Sequence, residues 1–149
     1  MNSAKKRTVL RIVVILYTLF IFSNSAATGE TSGGFSARIA AMIIDFFHLP
    51  FAFEPFHFFL RKAAHFSEYA LLGILVCSES RYEKSSTVVP WLYGICTAVL
   101  DESLQLLVPG RSGSPADVLI DSAGFLCGFA LMSLLLHSLV KAPKDPPVS

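Results

Sequence analysis

Charge is scarce in this chain. Lys, Arg, Asp and Glu make up 15% of its 149 residues, where a soluble globular domain carries about a quarter. The net charge of +1 leaves no basic field for a nucleic acid to find. Cysteine is also sparse. Cys77, Cys96 and Cys127 are odd in number and all lie in apolar stretches, which argues against a disulfide framework. Without a CxxC pair, a thiolate zinc site is not expected either. HExxH, a Gly-rich phosphate loop and a Gly-x-Ser-x-Gly elbow are all missing from the sequence, which removes the commonest hydrolase and nucleotide-binding signatures. Internal repeats and long low-complexity segments are missing as well.

What remains is apolar: 53% of the residues are hydrophobic and the mean hydropathy is +0.58. One domain over residues 1–141 is expected, with the Pro-rich tail 142–149 a disordered cytoplasmic end. A spanning helix needs about 20 mostly apolar residues. Four stretches qualify: 9–27, 56–77, 88–108 and 115–140. Glycine-rich 28–34, polar 79–86 and the Pro109–Ser114 turn separate them. Only helices and closed barrels cross a bilayer, so the fold class is all-α, a polytopic membrane bundle of about four transmembrane helices. A rival reading of the first stretch is a cleaved signal peptide, with a basic start and small residues Ser25, Ala26 and Ala27 at its end. The long, bulky apolar run favours a retained span.

Lysine and arginine placement sets the direction. With the N-terminus inside, eight basic residues fall on the cytoplasmic side (Lys5, Lys6, Arg7, Arg11, Arg81, Lys84, Lys141, Lys144) and four on the outer side (Arg38, Arg61, Lys62, Arg111). Both termini are therefore expected in the cytoplasm of a bacterial cell, with the protein in the inner membrane. In the first outer connection, Ile39, Met42, Ile43 and Phe46 form a helical stripe. It fits either a short interfacial helix or a packed outer loop. Phe51–Phe59 reads as an aromatic belt, with His57 a belt residue rather than a ligand.

The polar residues of the later spans form stripes. Arg61, His65 and Glu68, spaced four and three apart, share one helical face with Tyr69 beside them. Gln105 lies between Asp101 and Glu102 on the next helix. Asp117, Asp121, Gly124 and Gly128 line the last, and its glycines permit close approach of a neighbouring helix. At 1.5 Å per residue, Asp101 and Asp121 fall about 9–10 Å below the outer ends of their helices, and Glu68 about 18 Å. Ionisable groups at that depth face a cavity, one another or a ligand. Arg61, Lys62 and Arg111 stand against Glu68, Asp101, Glu102, Asp117 and Asp121, so two carboxylates lack a cationic partner. They must share protons, bind a cation or meet a cationic ligand group. Lys62 falls off the Arg61 stripe and is expected to snorkel. Asp117 also suits the first turn of its helix as a capping acid.

Three segments together resemble the VanZ-like family of bacterial membrane proteins. The first is Arg61-Lys62-Ala-Ala-His65-Phe66-Ser-Glu68-Tyr69-Ala-Leu-Leu-Gly73. The second is Asp101-Glu102-Ser-Leu-Gln105 with Pro109-Gly110-Arg111-Ser-Gly-Ser114. The third is Asp117-Val118 through Asp121, Gly124 and Gly128. The resemblance runs from about residue 22 to 128. It implies a multi-pass membrane protein, in a family named for a protein of low-level teicoplanin resistance whose mechanism is not established. Asp121 departs from the family, which often carries Asn there, and adds a negative charge.

Three functions fit these residues. In the first, Arg61, Tyr69, Gln105, Arg111 and Asp117 bind a ligand at the outer leaflet, a membrane lipid, lipid-linked cell-wall precursor or glycopeptide. In the second, His65, Glu68, Asp101, Glu102 and Asp121 are catalytic candidates in an intramembrane enzyme acting on a phosphate-containing lipid. That enzyme works either by acid–base chemistry or through a divalent metal; the sequence names no metal site, His65 and Glu68 being only weak candidates that Asp101, Glu102 or Asp121 could join. In the third, the chain is a small transporter or assembly scaffold, with Gly124 and Gly128 packing helices. Neither a cofactor nor an oligomeric state can be named from the sequence.

Overall fold

The computed structural model describes residues 2–27, 29–82, 88–111 and 113–141. The side chains of 29–33, 140 and 141 are not among the described parts, and the expected tail 142–149 lies outside them. Five α-helices account for the described residues, with no strand among them: α1 (Ser3–Ser25), α2 (Gly29–Phe47), α3 (Phe53–Ser80), α4 (Val88–Gln105) and α5 (Pro115–Lys141). The fold is all-α, as the composition required. By length and composition α1 and α5 are apolar enough to cross a membrane, with α5 qualifying over Pro115–Leu139. α3 and α4 carry the ionisable residues that dilute their hydropathy.

Side-chain bonds fix how the helices run. α1 and α3 are antiparallel: Arg11 of α1 pairs with Glu79 of α3 at 2.8 Å, while Asn24 donates to Glu68 Oε1 at 3.0 Å near the other end. α4 runs parallel to α1, joined by the Thr18–Tyr93 hydroxyl pair at 2.6 Å and the Gln105–Ser25 bond at 3.5 Å. α5 runs parallel to α3, with Lys62 bonded to Asp117 and His65 facing Asp121 at 3.5 Å. α1 and α4 therefore point one way and α3 and α5 the other, so the start of α1 and the end of α5 lie at the same end of the bundle.

α3 and α5 form the tightest pair, because three glycines remove the side chains that would separate them. A Cβ on Gly124 would strike the carbonyl of Phe66, one on Gly128 that of Ala70, and one on Gly73 that of Phe125. The glycine pair read from the sequence thus packs internally. Around this seam Val14, Ile21, Tyr69, Leu72, Val76, Ala98 and Phe125 form the core. The outside is the reverse of a soluble protein's, with Leu16, Leu19, Leu106, Leu107, Leu119 and Leu134 all more than half exposed. Apolar area on this scale belongs against lipid.

Some boundaries differ from those read along the sequence. The connection between α1 and α3 is a 19-residue helix, α2, rather than a short one. It ends at His48, whose φ of 49° places it in the left-handed region that terminates helices, with Pro50 following. Its stripe divides: Ile39 and Ile43 turn partly inward and Met42 and Phe46 stay exposed. α4 stops at Gln105, three residues before the expected end. Leu107 and Val108 donate to Leu104 and Gln105, a tightened last turn that Pro109 and Gly110 (φ 76°) then break. At the start of α5, Ser114 Oγ accepts from the Ala116 N–H at 3.2 Å. Ser114 therefore acts as the N-cap, with Pro115 in the favoured first helical position.

Candidate functional site

Where the C-terminal end of α1 meets α3 and the α4–α5 loop, polar side chains from every element but α2 converge. The loop is held by Arg111. Its guanidinium donates to the carbonyls of Asn24 at 2.9 Å and Ala27 at 3.3 Å, and to Gln105 Oε1 at 3.2 Å. The Asn24 carbonyl also accepts from the Ala27 N–H at 3.2 Å, so Arg111 adds to the bonding of the last turn of α1 and of the residues just beyond it, where a helix runs out of internal donors. Gln105, 2% exposed, passes the connection on through Nε2 to Glu102 Oε1 at 2.9 Å. Glu102 Oε2 accepts from the Ser114 N–H at 2.8 Å.

Behind this chain lies an acidic cluster. One ligand-type atom from each of His65, Asp101, Glu102 and Asp121 falls within 4.8 Å of all the others. Asp101, Glu102 and Asp121 are buried and His65 is half-buried. Tyr69 is wholly buried and its hydroxyl lies in the field of Asp101 and Asp121.

In front of it opens a cleft of about 580 Å³ lined by α1, α2, α3 and Arg111. Phe20, Phe35, Ile39 and Leu60 are among its apolar lining, and Asn24, Arg61, His65, Glu68 and Arg111 among its polar lining. Glu68 belongs to this cleft and bonds Asn24, so it stands apart from the four-residue cluster, in which Asp101, Glu102 and Asp121 join His65 instead. Arg61 is exposed, and among the described residues no hydrogen bond or ion pair holds it. Burial, and then the positive charge of Arg61, lower the basicity of the Arg111 guanidinium.

A family model described as VanZ/LLP1 matches residues 8–136. The chain belongs to the VanZ/LLP1 family. It is a membrane protein, as that membership and its two long apolar helices indicate. No curated protein and no solved structure matches it.

Of the residues singled out in this VanZ/LLP1 chain, Arg61, His65, Glu68 and Arg111 line the cleft, and His65, Asp101, Glu102 and Asp121 form the cluster behind it. Three others expected to bind a ligand lie elsewhere. Tyr69 is in the core, Gln105 braces Arg111 and Glu102, and Asp117 pairs with Lys62. Lys62 does not snorkel freely; it reaches across to α5. His57 stacks on Phe53 and bonds the Ser36 hydroxyl of α2 at 2.8 Å.

Sequence reasoning missed Tyr17, Asn24 and Ser25. Tyr17 donates to the Glu68 carbonyl at 3.2 Å, Asn24 holds the Glu68 carboxylate, and Ser25 lies against Asp101. Polar residues at the end of an apolar run look like its exit into water. Only their spacing, Tyr17 to Asn24 at seven residues, marked a shared helical face.

Proposed function

We propose that this chain is a multi-pass protein of the bacterial cytoplasmic membrane, with both termini inside, whose cleft holds the anionic headgroup of a lipid-linked envelope component at the outer leaflet. The carrying observation is the pairing of Arg61 and Arg111 in one cleft that is also lined by the apolar side chains of Phe20, Phe35, Ile39 and Leu60. The nearby positive charge of Arg61 disfavours that of Arg111, an anion between the two guanidiniums relieves this, and phosphate meets arginine in a bidentate fork. Phe20, Phe35, Ile39 and Leu60 suit the adjoining chain. The excess of basic residues on the side assigned to the cytoplasm supports the direction. α4, at 18 residues, is about 27 Å long and α3 is longer, which supports four spans with α2 lying in the outer interface. Teicoplanin tolerance fits as a consequence of altered envelope exposure.

The test is the phosphorus-bearing lipid retained after mild detergent purification, measured by mass spectrometry. Wild type is expected to retain such a lipid, and Arg61→Ala to lose it while remaining helical. Equal retention by the two would overturn the reading. Expression in a Gram-positive host at matched membrane abundance then checks the envelope role: wild type raises teicoplanin tolerance and Arg111→Ala does not.

A further inference from the structure

Asp121 and Asp101 are 0% and 1% exposed. No oxygen of either carboxylate closes a hydrogen bond among the described residues, and neither does His65 Nδ1: Asp121 Oδ1 has only His65 Nδ1 near it, at 3.5 Å, and Asp101 only the neighbouring Ser25. Buried polar atoms are nearly always bonded, and an unpaired buried carboxylate is among the costliest arrangements a fold can hold. The nearby cations are engaged or turned away. Lys62 goes to Asp117, Arg111 to the end of α1 and Gln105, and Arg61 is exposed in the cleft.

We infer that His65, Asp101, Glu102 and Asp121 form a binding site for one divalent first-row transition ion, such as Mn²⁺ or Zn²⁺, buried between α3, α4 and α5. This rests on the unpaired atoms alone and is independent of what the cleft binds. Ligands about 2.1 Å from a common ion lie about 3–4.2 Å from one another, so atoms already within 4.8 Å close on it by small side-chain rotations. Glu102 is fixed by Gln105 and the Ser114 N–H, the outer-shell bonding that orients a ligand. One imidazole among three carboxylates favours a transition ion over Mg²⁺ or Ca²⁺, which prefer oxygen alone. A dication also offsets most of the negative charge that the three carboxylates would otherwise bury. His65 is shared with the cleft, so the ion would lie at the cleft's inner wall.

The test is metal content. Full-length protein in detergent is stripped with chelator, reloaded separately with Mn²⁺ and Zn²⁺, passed through gel filtration and analysed by elemental mass spectrometry. About one ion per chain is expected, together with a rise in unfolding temperature on loading. Asp121→Asn and Asp101→Asn preserve shape and are expected to weaken binding by tenfold or more, while Asp45→Asn, outside the cluster, binds as wild type. Wild type that emerges without metal overturns the inference, leaving a cluster that shares protons. So does an Asp121→Asn variant, helical by circular dichroism, that binds as tightly as wild type.

Discussion

Arg61 and Arg111 carry the same charge with different consequences. Arg111 closes three hydrogen bonds to α1 and Gln105, and bonds from a charged donor are worth more than neutral ones. Arg111→Ala is therefore expected to cost about 2–3 kcal/mol, seen as a lower unfolding temperature in detergent, besides losing function. Arg61→Ala should leave that temperature unchanged and affect ligand retention alone. At the other edge of the site, the Lys62–Asp117 pair is asymmetric. Lys62→Met leaves a buried carboxylate unpaired, whereas Lys62→Met with Asp117→Asn removes the problem. The single variant should lose about 1–3 kcal/mol and the double variant recover much of it; equal losses would show that the pair contributes little.

At the scale of the element, the α3–α5 seam depends on missing side chains. Gly128→Ala drives a methyl group into the Ala70 carbonyl, and Gly124→Ala meets Phe66 in the same way. Helix backbone cannot yield as a side chain can, so each is expected to cost at least about 1–3 kcal/mol. Each should also separate His65 from Asp121. Gly34 supplies the contrast: a Cβ there meets nothing within 4 Å, and Gly34→Ala in α2 should be neutral or stabilising by up to about 1 kcal/mol. Unfolding of the variants in one detergent compares them directly. If Gly128→Ala is as tolerated as Gly34→Ala, the helices are not in backbone contact there.

At the scale of the molecule, α1, α3, α4 and α5 alternate in direction, which puts the start of α1 and the end of α5 together and the Arg111 loop at the opposite end from Arg11 and Glu79. Reporter fusions give the check in a membrane. A fluorescent reporter active only in the cytoplasm should light when fused to either terminus, and alkaline phosphatase should be active when inserted after Gly110. Activity on opposite sides for the two termini would remove the proposed topology.

The all-helical class was legible in composition, since so apolar a chain with spanning-length runs has few other ways to satisfy its backbone. The stripes on α3, α4 and α5 were equally legible, because a period of 3.6 residues fixes which side chains share a face, and a count of charges showed that two carboxylates would go without a cation. Tertiary packing leaves more than two: among the described residues Asp117 alone of the five meets a lysine or arginine, while Glu68 and Glu102 take neutral donors and Asp101 and Asp121 close no hydrogen bond. The rotation of α3 against α5, set by Gly73, Gly124 and Gly128, brings His65 onto Asp121. The α4–α5 loop sends Arg111 to the end of α1 rather than to a carboxylate, and Lys62 takes Asp117. Periodicity describes each helix about its own axis, but the partner of a charge depends on how far neighbouring helices turn and slide against one another. That geometry leaves Asp101 and Asp121 unpaired beside His65, and brings Asn24 from an apolar helix against Glu68.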